Sequence, residues 1–338
     1  MGGVSPGGRA GTGAGRRCLL QARQHRLQAE RAGARGPAVA PRSGAQPQAR
    51  AGQGQSGHVE RPVVTAEQDE RAFRALTQKV SAARGLRCEA YKEKCLRRRL
   101  AVRMRARGVH TFEAYSRLLD EDTSEYDRLL DALTINVTKF WRNAATWQAL
   151  TDPYLRELWR ARRGGVRAWS AGCASGEEPY TVAVALAEVA RALGEEAVFA
   201  TAEARIDATD VDRESLERTA AAQFPDSAFA EMPADLARRY FTAVAPRRPL
   251  PVLQRLVRVR RHDLTREPPP EPPYDLIVCR NVVIYFDRPM QERLFSAFAD
   301  ALVPGGILLL GKVETLFGPA RERLTLEDPR ERIYRRPA

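Results

Sequence analysis

The sequence predicts an α/β fold: a doubly wound, mainly parallel sheet, preceded by a small all-helical domain and carrying a short β-insertion. Three observations support it. Apolar residues recur at helical spacing up to about residue 150, and strand-like and helix-like stretches alternate from residue 166. A segment over 239–263 breaks that alternation with Pro246, Pro249 and Pro251.

At 338 residues the chain can bury two ordinary cores. Its first 60 residues stand apart, with nine Arg against Glu30 and Glu60, 13 of the 24 Gly, and no Phe, Trp or Tyr. Such a stretch buries too little apolar surface to offset its chain entropy, so 1–62 reads as a disordered basic arm. The arm carries over half of the formal net charge of +13, a charge that suits nucleic acid, anionic lipid or an acidic protein face. Arg16-Arg17 is followed by only Cys18-Leu19-Leu20 before Arg23, too little for the roughly 7–15 apolar residues of a signal peptide. The apolar run over 182–187 is far below the about 20 residues of a membrane span, so a cytoplasmic location without membrane insertion is expected. Cys18, Cys88, Cys95, Cys173 and Cys279 form no CxxC pair, and His25, His58, His110 and His262 are scattered. Free thiols and no metal are expected.

The helical domain is expected over 63–150. Phe73, Leu76 and Val80 share one helix face, and Phe112, Tyr115, Leu118 and Leu119 another. Gly85 and Gly108 punctuate them, and Thr111 is placed to cap the second. The sheet domain is expected over 151–338, with strands over 166–171, 206–211, 274–279 and 306–310 and helices over 177–193, 212–222 and 289–302. Val257-Arg-Val-Arg260 alternates at strand period behind its prolines and reads as part of the β-insertion, about 239–263. Residues 267–273 form a proline-rich loop.

The chemistry concentrates in Trp169-Ser-Ala-Gly-Cys-Ala-Ser-Gly-Glu-Glu-Pro-Tyr180, where a strand runs through a turn into a helix. Gly172 and Gly176 let the backbone approach a ligand at the carboxyl end of the strand. Glu177 and Glu178 place negative charge where a phosphate site would keep the helix N-terminus free for an anion. Carboxylates there suit a cation, such as the ammonium and sulfonium of S-adenosylmethionine. They also complement the helix dipole without any ligand. The next strand ends Ala208-Thr-Asp-Val-Asp212, which places Asp210 to accept hydrogen bonds from ribose hydroxyls and Asp212 to cap the following helix.

Together with Asn136-Val-Thr-Lys-Phe-Trp-Arg142 and Cys279-Arg-Asn-Val-Val-Ile-Tyr-Phe-Asp287, these blocks resemble the chemotaxis receptor methyltransferase family (CheR) in content and order, over roughly 63–338. The resemblance implies a class I S-adenosylmethionine-dependent methyltransferase that esterifies glutamate side chains of a chemoreceptor, giving glutamate methyl ester and S-adenosylhomocysteine. It implies that Asn136, Thr138 and Arg142 reach the cofactor from the end of the helical domain. Glu178 or Glu177 would hold the ammonium and Asp210 the ribose. Asp263 would accept from the adenine amino group, Leu264 would pack on the ring, and Arg280-Asn281 would lie beneath the methionyl part. The family often has Asn at the position of Asp263. It usually shows Phe-Phe-Arg where this chain has Phe140-Trp141-Arg142, and Gly-His-Ser-Glu where this chain has Gly311-Lys-Val-Glu314.

Methylating a carboxylate is a direct displacement. A glutamate acceptor is already ionised at neutral pH, so the site must align it and exclude water rather than supply a strong base. In the family context Arg142 is expected to anchor the acceptor carboxylate and Tyr285 to border the methyl group. Outside it they read as a surface arginine and a core tyrosine.

The helix over 91–107 supplies a basic surface. Lys94, Arg98 and Arg105 share one flank; Lys92, Arg99 and Arg103 share another. Lys94, Arg98, Arg99 and Arg105 are the expected substrate contacts, suited to an acidic receptor helix. Nucleic acid is not expected, because aromatic residues are not interleaved as stacking platforms. The short, glycine-free stretch over 241–263 is expected not to dock a receptor tail tightly, and the protein is expected to be a monomer. The competing readings are a methyltransferase acting on nucleic acid or a small molecule, and a cofactor-sensing regulatory module without turnover.

Overall fold

Residues 65–133 and 138–338 are described by the computed structural model; the expected basic arm over 1–62 and Asn136 lie outside them. The first run is helical. Helix α1 (Ala66–Arg84) starts at a capping box, in which Thr65 and Gln68 each accept the other's backbone N–H, and it ends at Gly85 in the left-handed region (φ 75°). It is followed by α2 (Glu93–Ala106), by α3 (Phe112–Glu121), capped by Thr111 as expected, and by α4 (Ser124–Leu133). Phe73, Leu76 and Val80 of α1 join Leu100, Phe112, Tyr115, Leu119 and Leu129 in one apolar core. Each such side chain adds roughly 1.5–3 kcal/mol on full burial.

The second run builds a seven-stranded sheet. Its strands are β1 (Arg167–Ala171), β2 (Arg205–Asp210), β3 (Val257–Arg261), β4 (Tyr274–Cys279), β5 (Leu302–Leu310), β6 (Thr325–Asp328) and β7 (Ile333–Arg335), in the order β3-β2-β1-β4-β5-β7-β6. From β3 to β5 all pairs are parallel, while β7 is antiparallel to both β5 and β6. Three helices flank the sheet: α5 (Glu177–Leu193), α6 (Arg213–Ala221) and α7 (Arg288–Ala301). Alternate strand residues serve opposite cores: Ala168, Ile206, Leu276 and Ile307 pack with α5, and Trp169, Ala171, Ile277 and Leu308 with α7. The β4 strand is buried along its whole length, its apolar run broken only by Asp275, whose carboxylate accepts from Arg162 Nε (2.6 Å) and the Arg167 N–H (2.8 Å).

Two expectations are corrected. Val257–Arg261 does not belong to an inserted sheet; it pairs in parallel with β2 as the edge strand of the main sheet. Its valines are half-buried and its arginines exposed. Alternation of that kind marks any strand covered on one face, so it could not distinguish an insertion from an edge. The residues before it form short helices, Ala234–Tyr240 and Pro251–Gln254, with isolated pairings of Phe224 with Arg247 and Phe241 with Pro249. The core boundary also falls earlier than residue 150. Phe140, Trp141, Trp147 and Leu150 belong to the sheet's core, because helical periodicity reveals an apolar face but not which core will bury it.

The helices and the sheet form one unit, Val63–Ala338. The Lys92 N–H donates to the Tyr285 carbonyl (2.8 Å), the Asp287 N–H to the Ala90 carbonyl (2.9 Å), and the Tyr91 ring meets Phe286 edge-on at 5.0 Å. Among the described residues no helix is long and apolar enough to cross a membrane.

Candidate active site

The chain runs outward from β1 through β2 to β3, then returns to β4 on the other side of β1. Open sheets of this kind leave a crevice at the carboxyl ends of the strands on either side of that reversal. Two adjoining cavities lie there. Gly172, Ala174, Asn281, Val282 and Tyr285 wall both, so they are two lobes of one cleft. Gly172 is held at φ 84°, and a Cβ on it would stand 2.6 Å from Val282 Cγ2. Only glycine lets the turn and Val282 close the cleft from both sides.

The first lobe is lined by Tyr91, Asp210, His262, Asp263 and Leu264. The Asp210 carboxylate accepts the Ala174 N–H on Oδ2 and the Asp212 N–H on Oδ1, both at 3.0 Å. Burial pushes its pKa up against those two bonds. With about four lone-pair sites, the group keeps capacity for hydroxyl donors. Asp212 caps α6 by accepting the Ser215 N–H, as expected. Asp263 Oδ1 accepts both the backbone N–H (2.8 Å) and the hydroxyl (2.7 Å) of Thr265, and Oδ2 lies 3.6 Å from Arg266 Nε.

The second lobe is lined by Thr138, Arg142, Glu178 and Arg280, with Trp147 at its edge. Glu178 accepts the Ser170 hydroxyl (2.8 Å). Burial pushes its carboxyl up to about 7, against the pull of Arg280. Glu177 does not line the cleft: it is buried behind the turn, and its carboxylate takes the Ser175 hydroxyl (2.7 Å). Of the two acids left open by the sequence, Glu178 is therefore the one in the cleft wall. Arg280 is buried and donates from Nη2 to the Arg142 carbonyl (3.0 Å) and Asn143 Oδ1 (2.8 Å). Trp147 Nε1 donates to the same carbonyl (3.1 Å). Trp141 and Asn143 both sit at positive φ (60° and 62°), backbone strain that the surrounding bonds must hold. Phe140, stacked at 4.6 Å on Phe229, anchors the other end of the turn. Arg142 is thus presented on a rigid bend.

Sequence reasoning passed over two supports. Glu314 is buried and accepts the N–H groups of Gly311 (2.6 Å) and Asn281 (2.9 Å), bracing the bend that carries Asn281 and Tyr285. Lys312 pairs with Glu331 (3.0 Å), whose other oxygen accepts the Thr146 hydroxyl just after the Arg142 bend. The Lys312 side chain therefore serves structure in a turn where the family usually has His-Ser.

Lys94, Arg98 and Arg105 are exposed along α2. Arg99 is not. It is buried, donates from Nη1 to the carbonyls of Ala132 (2.9 Å) and Leu133 (2.6 Å), and lies 5.0 Å from the centre of the Tyr285 ring. Arg103 pairs with buried Glu125 (2.6 Å). Of the second basic flank, Arg99 and Arg103 make internal contacts while Lys92 stays exposed, which helical spacing alone cannot decide. Burial pushes the Tyr285 hydroxyl up, and Arg99 and Arg142 pull it down.

This lining fits S-adenosylmethionine. Glu178 offers a carboxylate for an ammonium, Asp210 one for ribose hydroxyls, and Leu264 and Tyr91 apolar surface for a base. Asn281 Oδ1 is buried without a partner, the condition of an acceptor whose donor arrives with a ligand. Residues 71–134 match the all-alpha domain of the CheR methyltransferases, and residues 136–331 match their SAM binding domain. The chain is 33% identical over 264 residues to a chemotaxis protein methyltransferase of Klebsiella aerogenes, covering 74% of this chain and 85% of the relative. It is 32% identical over 252 residues to that of Listeria innocua (74% and 92%), and 30% identical over 269 residues to that of Escherichia coli (75% and 87%). The chain belongs to the CheR methyltransferase family, as an S-adenosylmethionine-dependent enzyme with that family's all-helical and cofactor-binding domains.

Proposed function

We propose that this enzyme esterifies glutamate side chains on the cytoplasmic helices of a chemoreceptor, and that it works as a monomer in the cytoplasm. The observation that carries the reading is the placement of Arg142 and Tyr285 together in the wall of the lobe that also holds Glu178. When bound, S-adenosylmethionine supplies a methyl group on a positively charged sulfur. Glu178 orients its ammonium and Asp210 its ribose, while Thr138 and Asn281 border the chain between them; Asn136 completes this set by family resemblance. Arg142 anchors the acceptor carboxylate by a charge-assisted hydrogen bond, and the Tyr285 ring excludes water from the line of approach. The exposed stripe of Lys94, Arg98 and Arg105 draws in an acidic helix. Arg99, buried against Tyr285, positions that ring rather than meeting substrate.

The test is incubation of the full chain and methyl-labelled cofactor with a receptor cytoplasmic fragment, with RNA and with a metabolite extract in parallel. Base-labile label on the fragment, lost when its acceptor Glu residues become Ala, supports the proposal. Label on RNA or metabolites alone would favour the second enzyme reading. Cofactor binding without transfer to any of them would favour the regulatory module.

A further inference from the structure

We infer that His262 reads the base of the bound nucleoside, its Nδ1 accepting a hydrogen bond from the exocyclic amino group of adenine. The inference rests on the S-adenosyl reading of the cleft. His262 follows β3 directly, is 3% exposed, and contributes to the wall of the first lobe. Its Nε2 lies 2.8 Å from the Pro268 carbonyl. A carbonyl only accepts, so Nε2 carries the ring proton, and Nδ1 of the neutral ring is an acceptor. That atom is buried and has no partner within the protein. A buried acceptor left bare is costly, and a donor brought by the ligand removes the cost.

The rest of the residue is fixed in place. Its backbone N–H donates to the Asp210 carbonyl (2.9 Å), and its ring meets Trp169 at 5.6 Å and 89°. The group reading the base is therefore tied by one hydrogen bond to the residue that reads the ribose. Asp263, the alternative acceptor, already takes two donors from Thr265 on one oxygen and lies beside Arg266 with the other. A 6-oxo purine would set a carbonyl oxygen against Nδ1, so His262 selects for the amino group.

The experiment is calorimetry on the full chain with S-adenosylhomocysteine and with its analogue lacking the 6-amino group. Wild type is expected to bind the analogue about tenfold more weakly. His262→Leu is expected to bind both alike, and His262→Asn, which keeps an acceptor oxygen near the same place, to retain the preference. If His262 only braces the Pro268 loop, His262→Leu will weaken both ligands and leave the tenfold ratio intact; that result, or equal wild-type affinities, overturns the inference. Absence of any S-adenosylhomocysteine binding by wild type would instead remove the cofactor reading itself. Should His262→Leu fail to fold, nitrogen-15 resonances of labelled histidine in wild type decide. The His262 Nδ1 signal is expected to move with S-adenosylhomocysteine and not with the analogue, and a signal unmoved by either ligand overturns the inference.

Discussion

The two lobes of the cleft are built differently. The first is walled largely by Tyr91, Val211, Leu264 and the 281–286 bend, with Asp210 and Asp263 as its acids. The second brings Lys139, Arg142, Glu178 and Arg280 together. A flat base needs apolar surface and a few aimed hydrogen bonds, whereas methyl transfer needs opposite charges held in fixed geometry. Binding and turnover are therefore separable here: changes at the acids that hold the cofactor, Asp210 and Glu178, should fall on Kd, and a change at Arg142 more heavily on kcat.

Arg142→Ala should break the symmetry most. Turnover on a receptor fragment is expected to fall about 100- to 1000-fold, with a much smaller loss of S-adenosylhomocysteine affinity. Equal losses in both would mean that the lobes act as one, and retained turnover would reduce Arg142 to a surface residue.

Glu178→Gln comes next. Without a counter-charge for the ammonium, cofactor affinity at about pH 8 should drop roughly 10- to 100-fold. Wild-type affinity should itself weaken as pH falls from about 8 to 6, because a carboxyl pushed up to about 7 takes up a proton in that window. An affinity flat across the window would place the ammonium elsewhere. In the ligand-free protein the sign is opposite. The unfolded chain ionises this group above 4.5 and the folded one only near 7, so its burial costs nothing below that window and its full amount above it. Glu178→Gln should raise the melting temperature at about pH 8 and leave it nearly unchanged at about pH 4.

Asp210→Ala is the matching first-lobe change. It should weaken S-adenosylhomocysteine binding by about 1–3 kcal/mol, read by calorimetry, with kcat at saturation affected less. Unchanged binding would remove Asp210 from the ribose. Changing Lys94, Arg98 and Arg105 together to Gln should have the smallest effect. A rise in KM of about 3- to 10-fold for a receptor fragment is expected, shrinking at high salt, with cofactor Kd untouched. A rise that ignores salt would point to packing rather than charge.

Much of this site is legible in the sequence because its chemistry is local. The glycines of the 172–180 turn and the Asp210–Asp212 pair stand at strand ends where their spacing places them, and Asp212 caps its helix as that spacing predicts. Glu177–Leu193 and Tyr274–Cys279 fall on their expected bounds because their apolar runs, over 182–187 and 276–279, leave little choice. What stays hidden is which side of an element becomes buried. Glu177 and Glu178 are adjacent, yet one faces the turn and the other the cleft. Arg98 and Arg99 are adjacent too, one exposed and one sealed against Tyr285. The β3 strand was disguised by its prolines and by an alternation common to all edge strands. No spacing marks His262, since its place in the wall comes from the pairing of β3 with β2.

The proposed reaction places a methyl group on a receptor glutamate. The most direct measurement is the methanol released by base from a receptor cytoplasmic fragment after incubation with full-length enzyme and methyl-labelled cofactor, compared between wild type and Arg142→Ala. Labelled methanol from the wild-type reaction, nearly abolished by Arg142→Ala and by replacing the acceptor glutamates, is the expected result. Cofactor binding of ordinary strength with no base-released methanol from any fragment would contradict it.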